Sequence, residues 1–354
     1  MNKITIMSPQ NASADDKLVT VLGMDLAKDV FALHGINAAG KAILVRPNVS
    51  RAKLLDVLAA LPPCIVGMEA CSGAHHWARE LVKLGHTPKM MAPKFVSPYR
   101  MQGKRGKNDA NDAAAICEAV MRPNMRFVPI KSMDAQATLC VHRTRQGFIE
   151  ERTATINRVR GLMSEFGIVL PQKADTVRRQ AHLAIEHLPG WAARTVTDLL
   201  AHIALLDERI AEYDQHLKQV AREDDRCTRI MAIPGVGPTT ATALLAAIGN
   251  GHDFKNGRQL AAWLGLVPGQ CSSGGKARLG RITKAGDRYL RTLLILGAKS
   301  VLANAPDKSD AISRWAVALA GRAGYGKALV AIAAKNARMI WAMLAKGVAF
   351  EVPA

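Results

Sequence analysis

Four carboxylates stand out by type and position. Asp25 sits at the end of an apolar, β-rich run, Leu18–Ala27, and Glu69 directly follows a second one, Cys64–Met68. Asp109 and Asp112 lie three apart in KNDANDA, a spacing that puts both on one face at the start of a helix. In an α/β sheet, neighbouring strand ends form a natural site. Carboxylates gathered there repel, at about 4 kcal/mol per close pair for an effective dielectric of about 20. A hard dication removes that cost, and Mg²⁺ prefers carboxylate oxygens. Two such ions roughly 3.5–4 Å apart can activate a nucleophile and stabilise the leaving oxygen in phosphoryl transfer. Taken singly, each acid has a structural role open to it: Asp25 as a turn cap, Glu69 as a solvated strand end, Asp109 and Asp112 as first-turn acids favoured by the helix dipole. The order strand Asp, strand Glu, helix Asp-x-x-Asp is what points to chemistry. The basic stretch Lys94–Lys107 places Lys104, Arg105 and Lys107 just before Asp109, as phosphate-binding charge.

A second constellation lies near the other end. Lys276, Arg278, Arg281, Lys284, Arg288 and Arg291 are six cations with only Asp287 against them between Cys271 and Arg291. Glycines make the first half a loop, and the second half enters a helix. Such a surface suits a phosphate-rich ligand, and its few aromatics give little support to base stacking. Ser272 and Ser273 precede a Gly-Gly pair in that loop. A serine hydroxyl needs a base or a metal before it attacks anything, so the residues alone leave this segment open as linker or reactive loop. Upstream, IPGVGPTTATALL places Gly235 and Gly237 in a tight turn of helix-hairpin-helix type, with a helix beginning near Thr239. The N–H groups at that start can hold a phosphate without reading sequence; a plain turn between helices is the alternative.

The elements that must position these groups follow from period and turn chemistry. Leu18–Ala27, Val30–Ile36 and Ala42–Arg46 read as a three-strand meander. Ser50 is placed to cap a helix through Leu61. Strand Cys64–Met68, helix Gly73–Leu84, strand Thr87–Ala92, helix Asn108–Met121 and strand Arg126–Ile130 complete an α/β unit with a mixed sheet. A long helix covers Ser132–Phe166, with Ile149, Ile156 and Met163 a heptad apart. Leu199, Ile203, Leu206, Ile210, Tyr213, Leu217 and Val220 then form a heptad seam. These two helices suggest an antiparallel coiled coil or a dimerisation arm; packing on their own chain is the alternative. The organisation expected is a disordered lead-in at 1–18, an α/β domain at 19–130, a helical region at 131–225 and a mainly helical basic domain at 226–354.

Composition narrows the function. The chain has 354 residues and a formal net charge of +19, with 49% hydrophobic and 22% charged residues. That mixture builds a core and excludes a disordered chain. Charge is uneven: net +7 over 1–130 (17 basic, 10 acidic), −1 over 131–225 (13 and 14) and +13 over 226–354 (18 and 5). So basic a final third favours a polyanionic partner. Apolar runs such as Thr239–Ile248 and Ala328–Ala334 fall short of the roughly 20 residues of a membrane span. The six cysteines form no CxxC pair, which speaks against a zinc ribbon and fits a reducing cytoplasm. The N-terminus lacks the apolar core of a secretion signal. Trp315 and Trp341 read as core.

The segments GMDLAKDVF, MEACSGAHHWARELVKLGH, GKNDANDA and PGQCSSGGKARLGRITKAGDRYLR resemble the insertion sequence 110 family of transposases, the 1111-type subgroup most closely, from about Val19 to the C-terminus. The resemblance implies an RNase H-like (RuvC-like) fold for the first domain, with Asp25, Glu69, Asp109 and Asp112 as the metal-binding DEDD acids. It implies a coiled-coil insert and a C-terminal domain in which a serine before glycine is the nucleophile. Ser273 matches that place, with Ser272 the neighbouring alternative. The implied partners are donor and target DNA, a structured bridge RNA from the element, and further copies of the chain as dimers and tetramers. The implied reaction is RNA-guided strand cleavage and rejoining through a covalent phosphoserine, with one or two Mg²⁺ ions and a cytoplasmic location. The rivals are a metal-dependent nuclease using water and a non-catalytic nucleic-acid-binding protein. An actin-like ATPase is disfavoured, since GMDLAKD lacks the glycine run of a phosphate loop.

Overall fold

The computed structural model describes residues 17–100, 109–272 and 278–351. Lys104, Arg105, Lys107, Ser273, Lys276, the side chain of Asp109 and the first sixteen residues lie outside the described residues. The chain divides into two compact units, Met1–Lys131 and Ser132–Ala354.

The first unit opens with the antiparallel meander β1 (Val21–Asp25), β2 (Val30–Ile36) and β3 (Ala42–Ser50). Helix α1 (Leu54–Ala59) leads to β4 (Ile65–Glu69), which lies parallel to β1. Helix α2 (Ala74–Lys83) leads to β5 (Thr87–Met91), parallel to β4. Helices α3 (Pro93–Val96) and α4 (Asp109–Val120) precede the two-residue β6 (Phe127–Val128). Among the described residues the sheet has six strands in the order β3-β2-β1-β4-β5-β6. Leu22, Met24, Val66 and Met68 face one core with Trp77 and Leu81 of α2, while Val21 faces the other with Ile116 and Val120 of α4. That period-two split is the alternation a half-covered strand shows on each face.

The third strand runs four residues past its expected end. Val49 and Ser50 pair with Phe31 and Val30, and Pro47 is tolerated because β3 is an edge strand. Ser50 therefore belongs to the ladder, and its side chain makes no cap hydrogen bond; a short 3-10 turn at Arg51–Lys53 follows before α1.

The second unit holds α5 (Met133–Ser164), α6 (Ala174–Ala184), α7 (Gly190–Glu223), α8 (Asp225–Met231), α9 (Pro238–Ile248), α10 (Gly257–Trp263), the hairpin β7 (Pro268–Gln270) with β8 (Leu279–Ile282), α11 (Arg288–Asn304), α12 (Ala311–Ala323) and α13 (Tyr325–Lys346). Ser132 caps α5 by accepting from the Ala135 N–H at 3.1 Å. Helices α5 and α7 run antiparallel, since Arg145 pairs with Asp214, Phe148 packs on Tyr213 and Arg152 pairs with Asp207. Ile203, Leu206, Ile210 and Leu217 of the heptad seam are buried, as are Ile156 and Met163 of α5. The seam thus finds its apolar partner inside one chain. The larger core lies among α8 to α13, with Leu244, Leu260, Leu294, Ile332 and Ile340 fully buried.

Among the described residues one helix, α13, is long and apolar enough to cross a membrane by length and composition; half of its apolar stretch is buried in this core, and it carries Lys335, Arg338 and Lys346. Trp341 donates to the Gly251 and Phe254 carbonyls from within the same core. All six cysteines are unpaired.

Candidate metal and nucleic-acid sites

Alternation places the acids. Along β1, Val21, Gly23 and Asp25 share a face, and along β4, Ile65, Gly67 and Glu69 do. Gly23 and Gly67 are directly paired across the two strands. A Cβ on Gly23 would lie 2.1 Å from the Ala113 carbonyl oxygen and 2.6 Å from the Cys117 nitrogen. One on Gly67 would lie 2.9 Å from the Val120 Cβ. The missing side chains let α4 cross the sheet in direct contact with the two central strands. Its first turn, with Asp109 and Asp112, accordingly starts beside the strand ends that carry Asp25 and Glu69. The signal was present in the sequence as glycines inside two strand patterns.

Glu69 and Asp112 meet through a residue that spacing did not single out. The Arg100 Nη2 lies 2.7 Å from Glu69 Oε1, and its Nε lies 3.1 Å from Asp112 Oδ1. Both carboxylates are well shielded, at 13% and 18% side-chain exposure, so this cation is screened less than a surface partner. Nε is buried, and its approach to Asp112 does not meet hydrogen-bond geometry. Nearby, burial raises the pKa of the Cys71 thiol, and the Glu69 and Asp25 carboxylates raise it further. The thiol therefore feels both strand-end acids at once. Among the described residues no three acid, histidine or cysteine side chains converge as a finished metal centre. The oxygen-only donor set and the guanidinium already drawn between two of its members nonetheless fit a hard divalent cation.

The second unit places its cations differently from one another. The expected loop after Cys271 is flanked by a two-stranded hairpin: Pro268 pairs with Ile282 and Gln270 with Leu279. Ser272 stands just after β7, exposed, its Oγ accepting from the Gln270 side-chain amide at 2.7 Å. Arg278, Arg281, Lys284 and Arg288 are exposed on or beside β8 and at the start of α11. Arg291 is half-buried and differs from these four. Its Nη1 donates to the Leu264 and Ala285 carbonyls, 3.0 Å each, so both protons of that nitrogen hold the chain that enters α11.

The turn between α8 and α9 contains Gly235 at φ +83°, and a Cβ there would lie 2.6 Å from the Gly297 carbonyl oxygen. Gly235 is thus explained by close approach to α11. Gly237 is exposed before Pro238, which has no N–H to offer a phosphate, and Thr239 follows half-buried in the first turn. Behind this turn, buried His142 joins α5 to α9 and α11. Its ring nitrogens lie 3.0 Å from the Tyr289 hydroxyl and 3.0 Å from Thr242 Oγ1. The Thr242 hydroxyl donates to the Pro238 carbonyl at 2.8 Å, so Nε2–H donates to Thr242 and Nδ1 accepts from Tyr289.

An antiparallel meander continued by parallel strands, with carboxylates at adjoining strand ends and on the helix beside them, defines an RNase H-like α/β domain of the class that cuts and rejoins DNA with a divalent metal ion. Sequence comparison agrees. A DEDD transposase family model of the IS110 type matches residues 22–168, and the family described as "Transposase IS116/IS110/IS902 family" matches residues 227–313. The chain is 44% identical over 330 residues to a "Probable family 20 transposase" of Pseudomonas aeruginosa, covering 92% of this chain and 96% of that protein. It is 40% identical over 349 residues to the "Transposase for insertion sequence element IS1111A" of Coxiella burnetii, covering 98% and 94%. It is 38% identical over 334 residues to the transposase for IS1328 of Yersinia enterocolitica, covering 94% and 99%. The chain belongs to the IS110/IS116/IS902 family of insertion-sequence transposases.

Proposed function

We propose that this transposase breaks and rejoins DNA through Ser273 as nucleophile, with Asp25, Glu69, Asp109 and Asp112 holding one or two Mg²⁺ ions. The observation that carries the acid half of the reading is the joint hold of Glu69 and Asp112 on one guanidinium beside the end of β4. The metal, when bound, lowers the cost of charge developing on the scissile phosphate. The serine oxygen bonds to phosphorus and the P–O bond to the adjoining deoxyribose breaks; the proton lost by the serine hydroxyl is matched by one taken up by the leaving oxygen, which becomes a free hydroxyl on the released strand. The phosphoserine ester preserves the bond energy, so rejoining needs no ATP.

Arg278, Arg281, Lys284 and Arg288, with Lys276, Lys104, Arg105 and Lys107, neutralise backbone phosphates. The N-terminal turn of α9, with Gly235, Gly237 and Thr239, adds a sequence-independent backbone contact. A structured RNA from the element selects donor and target by base pairing, and the protein reads RNA shape and backbone. The working particle is a dimer or tetramer acting in the cytoplasm on nucleoid DNA.

A covalent-trapping assay tests this. Protein, Mg²⁺, flanking-region RNA and a labelled junction substrate are run on a denaturing gel beside Ser273→Ala, Ser272→Ala and Asp109→Asn. The expected result is a protein-linked DNA band lost with Ser273→Ala and with Asp109→Asn. Loss only with Ser272→Ala moves the nucleophile by one residue. Free cut DNA without an adduct, indifferent to both serine changes, overturns the recombinase reading in favour of a nuclease that activates water.

A further inference from the structure

We propose that Arg100 is an internal counter-ion of Glu69 and Asp112 and competes with the divalent ion for them. The proposal rests on the metal reading of the acids given above. Three observations on Arg100 carry it. One guanidinium reaches both Glu69, at 2.7 Å, and Asp112, at 3.1 Å, two acids from different elements that the chain would otherwise hold together at a repulsive cost. The Asp112 arm is incomplete: Nε is buried yet makes no hydrogen bond, so part of the donor's hydration is lost without replacement. The side chain also keeps 37% exposure, which leaves it a way out to solvent.

Arg291 shows what a fixture looks like in the same chain, with its guanidinium donating to two carbonyls. Arg100 instead reaches two carboxylates, Glu69 and Asp112, that a hard cation binds better. A divalent ion that takes Glu69 and Asp112 must first displace the guanidinium, and the lost ion pairs weaken its apparent affinity. The displaced arginine stays tethered next to the site, a positioning residue that acts through the two carboxylates.

The test is direct metal binding by the full chain. Mn²⁺ is titrated and free Mn²⁺ is read by electron paramagnetic resonance for the unchanged protein, Arg100→Gln, Arg100→Lys and Asp25→Asn. Thermal midpoints are recorded with chelator and with Mn²⁺. Competition predicts roughly three- to tenfold tighter Mn²⁺ binding in Arg100→Gln. It also predicts a lower midpoint in chelator and a larger rise on adding Mn²⁺, with Arg100→Lys between the two. Loss of a merely structural arginine predicts a lower midpoint without tighter binding, and plain charge repulsion predicts that Arg100→Lys, which keeps the charge, binds Mn²⁺ like the unchanged protein. Equal or weaker binding in Arg100→Gln, with the unchanged protein binding Mn²⁺ and Asp25→Asn weakened, overturns the competition and leaves the metal reading standing. Absence of Mn²⁺ binding in every form overturns both.

Discussion

His142 carries the clearest consequence of burial for a single side chain. It is 1% exposed and held by Thr242 and Tyr289, and burial, aided by the Arg145 charge, pushes its pKa down to about 4 from 6.5. The unfolded chain therefore binds a proton between about pH 6.5 and 4 that the folded chain refuses. By linkage this contribution is fully present above pH 6.5 and is lost as pH falls through that window, with a size of about 3 kcal/mol. Denaturation midpoints of the unchanged protein and of His142→Gln, measured from pH 7.5 to 4.5, should approach each other on acidification. Parallel curves would show that the histidine is not held neutral. A lone histidine in a helical stretch gives no hint of this, because the hydroxyls that claim its two nitrogens lie 100 and 147 residues away.

At the scale of elements, the seat of α4 on β1 and β4 rests on the absence of two side chains. Gly23→Ala puts a methyl 2.1 Å from the Ala113 carbonyl, a backbone atom that moves only with the whole helix. We expect a loss of about 3 kcal/mol, at the upper end of the range for overpacking, together with weakened Mn²⁺ binding as the Asp112 end of the helix shifts. Gly147→Ala is the control. Gly147 lies within α5 with nothing within 4 Å of its would-be Cβ, so the same change there should stabilise by about 0.5–1 kcal/mol. Thermal melts of the two variants decide it, and an unchanged midpoint for Gly23→Ala would refute the close-approach argument. The helical region teaches a related lesson. A heptad seam states that a helix needs an apolar partner, and here α5 supplies it within the chain.

For the whole molecule the governing quantity is charge. A net +19 chain with its excess in the last third binds polyanions in proportion to the phosphates it neutralises. Changing Arg278, Arg281, Lys284 or Arg288 to Ala should each reduce the slope of log affinity against log salt on duplex DNA by about 0.9. Arg291→Ala should leave the slope unchanged and lower the thermal midpoint, because its guanidinium holds the Leu264 and Ala285 carbonyls. Fluorescence anisotropy at several salt concentrations separates the two classes. A slope change for Arg291→Ala as large as the others would put it back on the binding surface.

By itself the sequence determined the order of the main strands and helices in the first unit, the position of Asp25 and Glu69 at strand ends, the start of a helix at Asp109 and the family. Each of these is written in short-range signals: period two, period 3.6, turn residues and contiguous motifs. Only the tertiary structure decided that α4 rests on Gly23 and Gly67, that Arg100 joins Glu69 to Asp112, that Arg291 turns inward, that Ser50 pairs in a strand and that the heptad seam is satisfied within one chain. Those outcomes depend on which distant group meets each side chain. An arginine or a glycine has the same local pattern whether its neighbour in space is a carboxylate, a carbonyl or water.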